Sequence, residues 1–141
     1  MLSITKIFSF EAAHRISNYQ GSCSRVHGHS YKIQITVTGK EIGEDDMLID
    51  FKVLKDLVNE SVIRQFDHSF ILQRNAKNIN DFSLLEQRVF WMDYEPTAER
   101  MVLWMVTELE KALPVSIYLR KIVLFETETS FVTWESVPHL K

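Results

Sequence analysis

Three of the five histidines are spaced so that two neighbouring strands could bring them together. His27 and His29 are two residues apart, and side chains at that spacing on a β-strand lie on one face. His14 follows the alternating apolar segment 2–13, so a hairpin of the two segments would place His14 near the pair. Three neutral imidazoles form a known catalytic zinc set whose fourth position stays open to water or substrate. The spacing therefore predicts a zinc site at His14, His27 and His29.

Cys23, the only cysteine, lies four residues before His27 in the polar loop 17–25. It could be a fourth zinc ligand, which would close the site and make it structural. It could instead be a thiolate whose pKa the nearby metal lowers, acting as a base. A lone cysteine is also often a small buried side chain. Spacing alone leaves these three roles open.

Two further groups carry carboxylates. Asp67 precedes His68, and a carboxylate beside an imidazole can orient the ring and favour its charged form. Glu126 ends a strongly apolar strand, where a carboxylate is costly unless it has a partner. A substrate with adjacent N–H donors would supply that partner. The plainer interpretations are a polar pair at a helix end for Asp67 and His68, and an edge-strand residue at a turn for Glu126.

Apolar periodicity predicts the elements that must position these residues. Four strands are predicted over residues 2–13, 29–39, 115–126 and 130–137. Asp50 is expected to cap a helix over Phe51–Phe66, and a second helix is expected to start near Pro96 and stop at Pro114.

The element order ββααββ predicts an α+β fold, a four-stranded antiparallel sheet with two helices on one face. The strand 115–126 has apolar residues on both parities, which predicts that its second face is also buried, against other copies of the chain. Segment 73–95 is predicted to be an open loop, with a short helix or strand near residues 84–91.

Composition narrows the class of protein. The 141 residues fit one domain, and 45% hydrophobic and 25% charged residues are ordinary for a globular protein. The net charge of −3, without a run of Lys or Arg, argues against nucleic acid as a partner. No apolar stretch approaches the roughly 20 residues that span a bilayer, and the N-terminus lacks the pattern of a signal peptide. Since a single cysteine forms no intramolecular disulfide, a cytoplasmic location is expected.

Six segments of the chain together resemble the 6-pyruvoyl-tetrahydropterin synthase / 6-carboxy-tetrahydropterin synthase family. They are FSFEAAHR (8–15), CSRVHGHSYKI (23–33), MLIDFKVLK (47–55), FDHSF (66–70), EPTAER (95–100) and FETETSFVTWE (125–135). They span nearly the whole chain in family order, so the resemblance is specific. It implies one catalytic domain over residues 1–141 with the tunnelling fold. It also implies a homo-oligomeric β-barrel, usually a homohexamer of two trimeric rings.

The resemblance also implies a role for each matching residue. The zinc ligands would be His14, His27 and His29. Cys23 would be the catalytic acid/base, and Asp67 with His68 the pair that assists proton transfer. Glu126 would anchor the amino group and ring N–H of a pterin. Thr97 would contact the pterin from a neighbouring subunit. Two positions depart from the family pattern. Members of the family often have Gly where this chain has Asp46, and Asn where it has Arg100.

The implied substrate is 7,8-dihydroneopterin triphosphate. The four-residue spacing from Cys23 to His27 resembles the bacterial queuosine-pathway enzymes. It favours conversion to 6-carboxy-5,6,7,8-tetrahydropterin, with release of acetaldehyde and triphosphate. The alternative within the family is a 6-pyruvoyl enzyme that eliminates triphosphate only. Two alternatives come from other classes: a zinc hydrolase with Glu126 or His68 as base, and a non-catalytic protein whose structural zinc is held by Cys23 and the three histidines.

Overall fold

The computed structural model describes residues 1–82 and 88–137. The strands are β1 (Ser3–His14), β2 (His27–Gly39), β3 (Ser69–Gln73), β4 (Val89–Met92), β5 (Ile117–Phe125) and β6 (Phe131–Glu135). The helices are α1 (Phe51–Val58), α2 (Arg64–Phe66), α3 (Ala76–Phe82) and α4 (Ala98–Ala112), and a π-helical segment (Asn59–Ile63) joins α1 to α2. The strands form one sheet in the order β4–β3–β1–β2–β5–β6.

The predicted fold class is confirmed in its main part. Strands β1, β2, β5 and β6 pair antiparallel in sequence, and the helical segments pack on one face of the sheet. Asp50 caps α1 as predicted, since its carboxylate accepts a hydrogen bond of 2.6 Å from the Lys52 backbone N–H. Helix α4 begins after Pro96, with Thr97 as the capping residue. No helix in the described ranges has both the length and the apolar character needed to cross a bilayer.

In the described part of segment 73–95, which is predicted to be an open loop, most residues belong to regular elements. The segment contains α3 and β4, and β3 ends at its first residue. Strand β3 pairs in parallel with both β1 and β4, which makes the sheet mixed and six-stranded. Its residues 69–72 are all buried, as in parallel strands covered on both faces, so they lack the alternation that marks a half-buried strand. Within the predicted element at 84–91, Val89 begins β4, and residues 83–87 lie outside the described part.

A β-bulge in β5 explains its doubled apolar pattern. Thr36 pairs with Lys121 but Val37 pairs with Leu119, which leaves Arg120 as an extra residue. The parity of the buried side chains therefore changes across the bulge. The core residues on its two sides are Ile117, Leu119, Ile122 and Leu124. The bulge thus accounts for most of the doubled pattern, but Val123, on the opposite face from Ile122 and Leu124, is buried as well. Contact of that face with other copies stays a prediction.

Deleting Val123 is expected to destabilise the protein much more than deleting Arg120. Removal of Arg120, the extra residue, leaves Lys121 opposite Thr36 and Leu119 opposite Val37 in a continuous ladder, so Ile117 and Leu119 still face the core. Removal of Val123 instead would place Ile122 opposite Gln34 and turn it away from the core. Loss of a buried aliphatic side chain corresponds to about 1.5–3 kcal/mol. Urea unfolding of the two deletion variants measures the difference, and equal stability would contradict the prediction.

Asp46 has a left-handed backbone conformation, with φ of 61°. It lies in a turn in which the Gly43 N–H donates to the Met47 carbonyl. Glycine adopts this conformation without strain, and aspartate does so more readily than most residues. The glycine that the resembled family often has here therefore suits the turn, and Asp46 is one of the tolerated substitutes.

Candidate metal centre and active site

Strands β1 and β2 bring the three predicted zinc ligands to one end of the sheet. Their antiparallel register pairs His14 with His27 and Ala12 with His29. All three imidazoles lie on the core face of the sheet, because each histidine is an even number of residues from the buried apolar side chains of its strand. The small Ala12 opposite His29 leaves space for the rings. The sequence-based expectation that a hairpin would assemble these residues agrees with this geometry.

The ring nitrogens of two of these histidines are fixed by backbone carbonyls. His14 Nδ1 donates to the Pro96 carbonyl at 2.8 Å, and His27 Nδ1 donates to the Arg25 carbonyl at 2.7 Å. A carbonyl only accepts, so both hydrogens are on Nδ1, and in the neutral rings both Nε2 atoms carry lone pairs. These Nε2 atoms are 3.0 Å apart. Two facing lone pairs repel unless a cation lies between them, and ligands of one tetrahedral zinc are roughly 3.3 Å apart.

His29 completes the cluster. Its Nε2 atom is buried and has no hydrogen-bond partner within the described part of the chain. The ligand atoms of the three histidines lie within 4.8 Å of one another. Burial lowers the pKa of His29, and the carboxylate of Glu126, 3.5 Å away, opposes this only in part. Burial likewise lowers the pKa of His14. Both rings are therefore neutral near pH 7, the form that binds a metal, and the donor set fits zinc.

Two stacked aromatic rings form the floor of the histidine cluster. Phe10 and Tyr31 are paired across β1 and β2, with ring centroids 4.8 Å apart. The Tyr31 ring meets that of His29 edge to face at 5.4 Å. Burial, and secondarily the charge of Glu126, raises the pKa of the Tyr31 phenol, which is therefore neutral. The apolar core thus ends directly beneath the cluster.

A cavity of about 310 Å³ opens beside the cluster. It is lined by His14, Ile16, Cys23, His27, Thr97, Ala98, Glu99, Glu126, Ser130, Phe131 and Val132. Cys23 is exposed in a 3₁₀ turn, and its carbonyl accepts a 2.8 Å hydrogen bond from the Ile16 N–H. Among the described residues, the group whose ligand atoms converge is the three histidines without Cys23.

Glu126 and Thr97 line the same cavity as Cys23. Glu126 directly follows β5, where its N–H donates to the Ser130 carbonyl at 3.0 Å in the turn to β6. The Thr97 hydroxyl accepts from the Arg100 N–H at 3.3 Å and caps α4. Thr97 therefore reaches this cavity from its own chain, although the resemblance placed it in a neighbouring subunit's site. Among the described residues that line this cavity, none is a lysine or an arginine.

Asp67 and His68 form the expected pair, but neither lines the cavity that contains Cys23 and Glu126. Asp67 Oδ1 is 3.0 Å from His68 Nδ1 and accepts a 3.0 Å hydrogen bond from the Glu11 N–H. His68 has a left-handed φ of 57°, and its side chain is 79% exposed. It lines a second cavity together with Glu11, Gly28, Ser30 and the predicted metal ligand His29. Cys23 lines the other cavity, and the two cavities share no lining residue.

Sequence reasoning missed the carbonyl of Pro96 as the partner of His14. Any residue type supplies a carbonyl, so only the path of the chain between β4 and α4 determines this contact. The proximity of His14 and Pro96, 82 positions apart, follows from the sheet order and has no local signal.

Comparison with known proteins identifies the family to which this fold belongs. Residues 3–136 match the family model described as 6-pyruvoyl tetrahydropterin synthase. A Rickettsia bellii protein named 6-carboxy-5,6,7,8-tetrahydropterin synthase is 37% identical over 136 residues, which cover 94% of this chain and 99% of that protein. A Haemophilus influenzae protein of the same name is 32% identical over 142 residues, with 96% and 99% covered.

Solved structures show the same fold. The 6-pyruvoyl tetrahydropterin synthase of Plasmodium vivax superimposes with a TM-score of 0.72, at 20% identity, over 96% of this chain and 99% of that one. This likeness extends across the mixed sheet and its helices, and it confirms the fold that the sequence resemblance implied. With the near full-length family match and the similarity to the two bacterial enzymes, the chain belongs to the 6-pyruvoyl tetrahydropterin synthase family of pterin-synthesising enzymes.

Proposed function

We propose that this chain is a zinc-dependent 6-carboxy-5,6,7,8-tetrahydropterin synthase, acting as one catalytic domain over residues 1–141. Its substrate would be 7,8-dihydroneopterin triphosphate, and acetaldehyde and triphosphate would be released. The observation that carries the proposal is the convergence of one ring nitrogen from each of three histidines beside a cavity that Cys23 and Glu126 line. The names of the two bacterial relatives support the 6-carboxy product over the 6-pyruvoyl one.

The metal would be held by His14, His27 and His29. Zinc in this position supplies a Lewis acid that stabilises negative charge developing on substrate oxygens. Since Cys23 stands outside the converging group, a fourth position is left for the substrate, as in catalytic zinc sites. This geometry argues against the structural site in which Cys23 is the fourth ligand.

Glu126 would orient the pterin ring. A carboxylate accepts two parallel hydrogen bonds, and the amino group and adjacent ring N–H of a pterin are two neighbouring donors. Its closeness to His29 would hold the ring next to the metal site, with the substrate side chain directed towards Cys23. Cys23 would then remove a proton from a side-chain carbon or hydroxyl. Thr97, which lines the same cavity, would contact the pterin.

Two observations support a homo-oligomer, which we propose is the family's hexamer. Asp67 and His68 would assist proton transfer in the site of another copy, since the exposed His68 lines a different cavity from Cys23. The lining of the Cys23 cavity also lacks basic residues in the described part, whereas a triphosphate requires them. The triphosphate would therefore extend beyond this cavity. The expected cytoplasmic location stays a prediction from composition.

Incubation of the zinc-loaded protein with 7,8-dihydroneopterin triphosphate is expected to give 6-carboxy-5,6,7,8-tetrahydropterin and acetaldehyde in equal amounts. Mass spectrometry identifies the pterin, and an alcohol dehydrogenase assay measures the acetaldehyde. Glu126→Gln should raise KM, because one acceptor becomes a donor facing the pterin amino group.

A Glu128→Gln variant, changed at an exposed position two residues away, is the matched control. A pterin that retains a pyruvoyl side chain, without acetaldehyde, would replace the 6-carboxy assignment by the 6-pyruvoyl one. A product hydrolysed only at the triphosphate would identify a hydrolase and refute both.

A further inference from the structure

We infer that Glu95 is a positioning residue for the metal ligand His14, acting through the carbonyl of Pro96. The inference rests on the proposed metal site for its function, but the contacts that carry it are independent of any metal. They connect three separate segments of the chain: the loop after β1, the segment that contains α3, and the turn before α4.

The carboxylate of Glu95 clamps the loop after β1. Its Oε2 accepts a hydrogen bond of 2.8 Å from the Ser17 backbone N–H, and its Oε1 accepts one from the Ser17 hydroxyl. Ser17 is buried and Glu95 is half-buried, so these charge-assisted bonds are shielded from water. One side chain thereby fixes a loop residue that lies 78 positions away in sequence.

The clamp determines where the next residue lies. Pro96 directly follows Glu95, and its carbonyl accepts the hydrogen bond from His14 Nδ1. The Thr97 N–H donates to the Glu95 carbonyl at 2.8 Å, so these three residues form one tight turn. Proline fixes φ, which leaves the turn little freedom. A turn anchored at Glu95 therefore holds its Pro96 carbonyl at a set distance from the imidazole.

Segment 73–82 braces the other side of the clamp. Asn75 Nδ2 donates to the Ser17 hydroxyl at 2.9 Å, so this hydroxyl both accepts from Asn75 and donates to Glu95. Asn75 Oδ1 in turn accepts from the N–H of the fully buried Asn78 at 2.8 Å. Arg15, the residue after His14, donates from Nε to Asn78 Oδ1 at 2.8 Å. The hydrogen-bond network therefore ends at Arg15, the residue next to the predicted metal ligand His14.

The same clamp connects His14 with Cys23. Ile16, next to Ser17, donates its N–H to the Cys23 carbonyl. Movement of Ser17 away from Glu95 would therefore disturb the turn that carries Cys23 as well as the Pro96 carbonyl. Hydrogen bonds to the second ring nitrogen fix the orientation and tautomer of a metal-binding histidine, and their loss typically weakens metal binding by about 10–100-fold.

The test compares Glu95→Ala, Glu95→Gln and Ser17→Ala with the wild-type chain. Zinc affinity is measured by competition with a chromophoric chelator, and Glu110→Gln, an exposed position on α4, is the matched control. Glu95→Ala is expected to weaken zinc binding about 10–100-fold, and Glu95→Gln less, because its one oxygen still accepts. Adding Ser17→Ala to Glu95→Ala should cause a smaller loss than Ser17→Ala causes alone, since the Glu95–Ser17 hydroxyl bond is already absent and only the Asn75 contact remains to be lost.

A second measurement needs no metal. In ¹H–¹⁵N spectra of the metal-free chain, the His14 Nδ1–H is expected to be protected from exchange, and Glu95→Ala should remove this protection. The His27 Nδ1–H, bound to the Arg25 carbonyl, should be unaffected and is the internal control. An unchanged His14 signal in Glu95→Ala, or zinc affinity equal to that of Glu110→Gln, would overturn the inference. A wild-type chain that binds no zinc would instead refute the proposed function, and the His14 signal would still decide the positioning role.

Discussion

Cys23→Ala is expected to abolish turnover while the zinc content of the protein stays the same. The thiol lines the cavity beside the histidines but lies outside their converging group, so its loss removes a proton acceptor and leaves the ligands in place. Removal of a general acid or base typically lowers the rate by about 10²–10⁴-fold. Steady-state kinetics with the pterin triphosphate and metal analysis of the same sample measure the two effects together.

Ser22→Ala, in the same 3₁₀ turn, serves as the control for Cys23→Ala and should retain activity. Two results would contradict the proposed role of Cys23. Loss of zinc from Cys23→Ala would make the thiol a ligand and the site structural. Turnover close to the wild-type value would favour a hydrolase that uses metal-activated water and has no need of a thiol.

The double variant His27→Ala/His29→Ala is expected to lose its zinc completely, where the wild-type chain should hold about one ion per chain. A single remaining imidazole does not retain the metal, and activity should be lost with it. The fold should persist, because the cluster stands beyond the apolar core that ends at Phe10 and Tyr31. Metal analysis and circular dichroism of the same preparations measure the two outcomes.

His68→Ala is the matched control for the double variant, since its imidazole is exposed and lies outside the cluster. It should keep its zinc. A wild-type protein that stays free of metal after reloading and gel filtration would refute the metal site, and zinc retained by the double variant would show that other residues bind it.

Much of the site could be predicted because it depends on the period of a β-strand. The parity of His27 and His29, and of His14 with the apolar residues before it, places all three on the core face once β1 and β2 pair. The same periodicity predicts the antiparallel strands and the helices, and the polar Asp50 marks the start of α1. These signals are local, so they can be recognised from the amino-acid sequence without knowledge of contacts between distant segments.

The remaining features depend on contacts between distant segments. Strand β3 carries no alternation, because a strand between two parallel neighbours is buried on both faces. The bulge at Arg120 gives β5 a sequence pattern similar to that of a strand buried on both faces, and only the register with β2 distinguishes the two cases. Likewise, Asp67 and His68 are adjacent in sequence, but the sheet order decides which face they reach.

The placement of His68 would make catalytic activity depend on the assembly of subunits. If His68 completes the chemistry of Cys23 only across a subunit boundary, a newly synthesised chain is inert even when it is folded and loaded with metal. Activity would then rise more steeply than the amount of protein at low concentration, because encounter between chains precedes catalysis. The reactive thiol would also meet its proton-transfer partner only inside the finished assembly, so the cell would gain catalytic capacity through assembly as well as through synthesis.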